Sequence, residues 1–165
     1  MPVINIETRV NAPAVVVFDL ARSIDLHKLS TAHTHEQAIA GVTSGLIGMG
    51  ESVTWRAMHF GLWLTLSSKI TAFDAPHSFT DEMVAGPFKS FRHEHYFIQH
   101  DGFTVMTDAF DYTSPFGIAG KIADKLFVEK YMRQLLITRN QYIKEVAEDA
   151  DKYKKILPQV RQDQQ

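Results

Sequence analysis

The seven residues Phe91-Arg92-His93-Glu94-His95-Tyr96-Phe97 constrain the fold of this chain more than any other stretch. Side chains alternate in direction along a β-strand. Phe91, His93, His95 and Phe97 therefore share one face, and Arg92, Glu94 and Tyr96 share the other. The Arg/Glu face suits water, which turns the other face inward with two imidazoles between two phenyl rings. Neighbouring segments repeat the mixture, with Phe79, Asp81 and Met83 on one parity and Met106, Asp108 and Phe110 on another. A solid hydrocarbon core does not tolerate so many polar groups without partners. The pattern predicts an internal cavity with polar handles on an apolar wall.

The rest of the chain supplies the frame for such a wall. Val3 to Val10 alternates as a first strand with one polar face. Pro13 suits the first turn of a short helix ending near Ala21, because its missing N–H has no partner there. Ser23 is placed to cap a second short helix, Ile24 to Leu29, which carries His27. Strands are expected over Glu36 to Ala40, Ser52 to Phe60, Leu62 to Phe73, Phe79 to Val84, Phe88 to Ile98 and Phe103 to Tyr112. Asp101-Gly102 is a hairpin turn. Gly41 to Gly50 holds four glycines without a phosphate-loop ending, so a turn, bulge or mobile flap is expected there rather than a nucleotide site. From Ile118 onward the apolar spacing changes to that of an amphipathic helix of about 30 residues.

Composition narrows the function classes. At 165 residues the chain fits one domain, expected over 1–154, with 155–165 a frayed tail. The formal net charge of −2 leaves no electrostatic footprint for nucleic acid. No window of about 18 apolar residues suggests a membrane span, and no secretory leader is visible at the N-terminus. Cysteine is absent, which removes thiol nucleophiles and thiolate metal sites and suits a cytoplasmic setting.

The element order is one strand, two short helices, about six further antiparallel strands and one long helix. An α+β architecture satisfies it, with a curved sheet of about 6–7 strands wrapped on the last helix. The order resembles the helix-grip fold of the START-like, or SRPBCC, superfamily, which includes the Bet v 1 allergens and the polyketide cyclase/dehydrase group. The likeness is greatest to small bacterial members, some labelled cell-division inhibitors. It is carried by Ala12-Pro13 before Val17-Phe18, by Gly41-Val42-Thr43-Ser44-Gly45, and by Val53-Thr54-Trp55-Arg56-Ala57-Met58-His59-Phe60-Gly61. It continues through Phe79-Thr80-Asp81-Glu82-Met83, Gly86-Pro87-Phe88, His93-Glu94-His95, Met106-Thr107-Asp108 and Tyr112-Thr113-Ser114-Pro115-Phe116-Gly117. The resemblance implies binding of small hydrophobic molecules (lipids, polyketides, aromatics) in an inner cavity. It does not imply a single chemistry, because one shell hosts carriers, cyclases and regulators.

Strand parity nominates Trp55, His59, Phe79, Asp81, Phe91, His93, His95, Met106 and Asp108 as cavity residues, with Phe127 and Tyr131 contributed by the long helix. A carboxylate beside an imidazole orients one tautomer and raises its pKa. Such a pair can anchor a ligand carbonyl or hydroxyl, act in acid/base catalysis with His93, His95 and Asp108 as candidates, or form a self-satisfied buried network. The enzyme alternative is a cyclase or dehydratase; a third is a ligand-dependent regulator, whose protein partner no residue identifies. His-x-His aims two imidazoles the same way, and His59 or Asp81 could complete a set suited to zinc or iron. No Glu follows within Tyr96 to Asp101, however, and no later strand histidine offers a final ligand, so neither metal nor other cofactor is expected. His33-Thr34-His35 is a second such motif in an expected solvated turn.

Overall fold

The computed structural model describes residues 3–157, apart from 116, 118, 119, 121 and 123. Strand β1 (Val3–Val10) leads into α1 (Ala14–Ala21) and α2 (Ile24–Ser30). Pro13 sits at the N-cap of α1, and the Ser23 hydroxyl accepts from the Leu26 N–H to cap α2. Six strands follow: β2 (Gln37–Gly41), β3 (Ser52–His59), β4 (Leu62–Asp74), β5 (Ser78–Ala85), β6 (Ser90–His100) and β7 (Phe103–Thr113). All pair antiparallel in one sheet of order β1-β7-β6-β5-β4-β3-β2. A π-helical turn over Asp124–Val128 enters α3 (Glu129–Ala147), and Asp149 caps a last helix, α4 (Ala150–Ile156). Helix α3 packs on β1, α1 and α2. This is the helix-grip arrangement, and the expected fold class is borne out.

Local expectations are refined at three places. The described residues 117, 120 and 122 are helical and the stretch runs through the π turn to Ala147, as the apolar spacing predicts. Ile122 and Leu126 are exposed, so the inward stripe does not extend to these two positions; residues 118, 119, 121 and 123 lie outside the described set. Of the turn, bulge or flap expected at the glycine-rich segment, the structure has a turn at Met49–Gly50 in a docked loop: Ile24 N–H donates to the Gly45 carbonyl, Ile47 N–H to that of Arg22, and Ile47 is buried. Gly41 needs its positive φ of 74°, because a Cβ there would collide with the backbone of Ser52. Beyond Lys154 the helix continues to Ile156, and Leu157 is fully buried in the core. The remainder of the expected tail, 158–165, lies outside the described residues.

The core divides into two apolar clusters. One gathers Val17, Phe18, Leu20, Phe79, Phe97, Met106, Ile143 and Leu157. The other gathers Ile4, Phe91, Phe110, Tyr112 and Leu136. On each contributing element a polar residue falls between the two: Asp81 between Phe79 and Met83, His93 and His95 between Phe91 and Phe97, and Asp108 between Met106 and Phe110. On α3, Arg139 and Asn140 separate Leu136 from Ile143. The alternation read from β6 thus extends into one polar layer across three strands and a helix.

Candidate functional site

Sheet register assembles this layer. Asp81 on β5 pairs with His93 on β6, and His95 pairs with Asp108 on β7. Diagonal neighbours on one sheet face lie within reach of long side chains. Accordingly His93 Nε2 donates to Asp108 Oδ1 at 2.8 Å, and His95 Nε2 donates to Asp81 Oδ1 at 3.2 Å. His95 Nδ1 also lies 2.9 Å from Asp108 Oδ1, but off the line of a good hydrogen bond. From α3, Asn140 Nδ2 donates to Asp108 Oδ2 at 2.6 Å, and Arg139 Nη1 approaches Oδ1 at 3.4 Å while Nη2 donates to the Ala21 carbonyl at 2.8 Å. Asp108 is wholly buried and surrounded by donors. The two imidazoles lie 3.8 Å apart, centre to centre, and Phe79 stacks on His95 at 4.2 Å.

Charge follows from these contacts. Burial alone would push the Asp108 carboxyl up, yet the histidine hydrogen bonds outweigh it and hold the group well below the usual carboxylate range. Asp81 is likewise held down against its burial, chiefly by His95. Burial opposes a charge on His95 too, but carboxylates flanking its two ring nitrogens raise its pKa. His93 goes the other way: burial and the neighbouring His95 lower it, despite Asp108. Two carboxylates, a guanidinium and two imidazoles thus share one buried layer, and charges buried without partners are costly.

A cavity of about 410 Å³ lies between the sheet and α3. Its wall is mainly apolar, from Ile47, Val53, Ala57, Leu64, Leu66, Ile70, Phe88, Phe110, Val128, Met132, Leu135 and Leu136. Of the residues nominated by sequence, Trp55, His59, Phe79, Asp81, Phe91, His93, His95 and Tyr131 line it. Three stand elsewhere. Met106 is fully buried in the core, Asp108 sits behind the histidines, and Phe127 is half-exposed, edge-on to Phe60. His33 is exposed on the 3-10 turn Ala32–Thr34, and His35 adopts positive φ at its end.

A second polar group lines the same cavity away from the layer. His27 Nε2 meets Glu36 Oε2 at 3.1 Å, and the His27 ring lies tilted against Trp55 at 4.3 Å, centre to centre. His59 Nδ1 meets the Tyr131 hydroxyl at 2.7 Å. Burial raises the Glu36 carboxyl, but His27 and the Thr31 hydroxyl prevail and keep it below its ordinary value. His59 is lowered by its own burial. Sequence reasoning missed Arg139, Asn140, His27 and Glu36. For the first two a signal existed: they occupy the inward positions between Leu136 and Ile143, where the helical stripe should be apolar. His27 and Glu36 carried none, because they lie on a short helix and beside a loop with no diagnostic period.

Structural comparison places this architecture among known folds. TTHA0849 from Thermus thermophilus superposes with a TM-score of 0.69 at 19% identity, covering 86% of this chain and 97% of that one. Ginseng major latex-like protein 151 from Panax ginseng gives 0.65 at 16% identity over 88% and 97%. Ara h 8.0201 gives 0.60 at 13% identity over 86% and 97%. The Bet v 1-like helix-grip likeness read from the sequence is borne out at the level of fold. No family model and no curated protein sequence matches the chain. Among the described residues no helix is long and apolar enough to cross a membrane.

Proposed function

We propose that the chain binds a small, predominantly apolar molecule, of lipid, polyketide-like or aromatic type, between the sheet and α3, with the His/Asp layer recognising one polar group on it. The observation that carries this reading is the cavity itself. About 410 Å³ falls within the usual range for small-molecule sites, roughly 300–1,000 Å³, and an apolar wall with a few convergent polar groups is their usual lining. His93, His95, Asp81 and Arg139 face one region of it, and Glu36, His27, His59 and Tyr131 another. A ligand with polar atoms at two points on an apolar body matches that distribution. The absence of cysteine suits a cytoplasmic setting for such binding.

The test is a fluorescence titration with an apolar naphthalene sulfonate probe, paired with native mass spectrometry of gently purified protein. Wild type should bind the probe one to one. Ala57→Phe, which places a ring in the cavity from a buried wall position, should fold and bind at least tenfold more weakly. Equal binding by both proteins would refute the cavity as the site.

A second reading, turnover of the cyclase or dehydratase kind, is favoured by one detail. Asp108 holds His93 Nε2, leaving Nδ1 without a hydrogen-bond partner on the cavity side, 3.9 Å from Asp81. An oriented neutral imidazole is the usual general base. If substrates of this class are turned over, His93→Ala should lower turnover by at least a hundredfold with binding retained.

A further inference from the structure

Asp81, His93 and His95 bring one donor atom each to within 4.8 Å of one another on the cavity wall. We infer that these three residues form a binding site for a divalent first-row transition-metal ion, held by two imidazole nitrogens and one carboxylate oxygen, with its remaining positions open to the cavity. The inference deepens the proposed ligand site, since the ion would be the group that meets the ligand's polar atom, but binding of the ion itself does not depend on that reading.

The argument starts behind the ligands. A metal-binding histidine almost always gives its second ring nitrogen to a carboxylate or carbonyl, which fixes the tautomer. Here the buried Asp108 supports one ring by a hydrogen bond, from His93 Nε2 at 2.8 Å, and stands 2.9 Å from His95 Nδ1 without hydrogen-bond geometry. The opposite nitrogens, His93 Nδ1 and His95 Nε2, consequently turn toward Asp81, at 3.9 and 3.2 Å from its Oδ1. Ligand atoms about 2.1 Å from a shared ion lie roughly 3.0–3.4 Å apart, so a modest closure of the triad suffices. Asp81 is the least buried of the three.

Two imidazoles and a carboxylate select zinc, iron and their neighbours over magnesium or calcium, and three ligands from one side leave coordination positions free. The sequence argued against a metal because no fourth ligand follows the His-x-His. The register shows instead that the carboxylate comes from the preceding strand and the supporting one from the next.

The test uses the untagged full chain, stripped with chelator and dialysed, titrated with Zn²⁺ and Co²⁺ by calorimetry and Co²⁺ absorption. One ion per chain should bind, with d–d bands of a nitrogen/oxygen site. Asp81→Asn and His93→Gln should each weaken binding by at least a hundredfold, and Asp108→Asn by about 10–100-fold, with circular dichroism confirming the fold. Absence of stoichiometric binding, or unchanged binding in folded Asp81→Asn, would overturn the inference. Naphthalene-probe binding by the stripped protein separates the two proposals: probe without metal leaves the cavity reading standing, and metal without probe leaves only this one.

Discussion

The cavity carries two polar groups of similar composition in unlike surroundings. In the layer around Asp108, the carboxylate is fully buried and contacted by His93, His95, Arg139 and Asn140, drawn from two other elements. In the group around Glu36, the carboxylate meets His27 and Thr31 close to it in sequence, while His59 and Tyr131 bond to each other and remain partly exposed. Both groups reach α3, but in the second only the His59–Tyr131 bond does so, and the carboxylate itself bonds near neighbours. Removing one partner from a dry ion cluster strands the others, whereas a partly wet group can turn to water. The difference teaches that Asp108 ties sheet to helix, while Asp81, Glu36 and Tyr131 line the cavity with partners on one side only.

Mutations can break this contrast. Asp108→Asn, nearly isosteric, should lose about 3–5 kcal/mol in urea denaturation, because it leaves Arg139 and the histidines without their counter-charge. Glu36→Gln should lose only about 1–2 kcal/mol by the same measurement. Equal losses would erase the distinction. The Glu36 contribution should also depend on pH with a definite sign. Its carboxyl is held below the ordinary 4.5 in the fold, so its stabilisation is complete above that value and disappears as pH falls through the lower folded value. Denaturation curves of wild type and Glu36→Gln should therefore converge in acid; a gap that widened there would contradict the assignment. Smaller still, Tyr131→Phe should cost under about 1 kcal/mol, since His59 can bond to water instead.

The same contrast explains what was legible in the sequence. Strand parity is a period of two, so one surface-suited face at Arg92 and Glu94 places His93 and His95 inside without any knowledge of the partner strands. Asp81 and Asp108 follow by the same rule, and the element order was enough for the helix-grip arrangement. Parity cannot tell the wall of a cavity from the layer behind it, which is why Met106 and Asp108 stood among the lining candidates. Phe127 was misplaced for a different reason: a 3.6-residue stripe was extended through a segment containing a π-helical turn, where the phase of the facing side shifts. The Glu36 group was illegible because turns and a docked glycine-rich segment create it, and these carry no period at all.

The central claim is that the polar layer faces a ligand-holding cavity. Nitrogen-detected NMR of the histidine side chains, in metal-free protein titrated with an apolar aromatic ligand, tests it most directly. Resonances of His93 and His95 should shift together and saturate at one ligand per chain, while those of exposed His77 and His100 stay still. Saturable binding that moved only the exposed histidines, leaving His93 and His95 unperturbed, would contradict it.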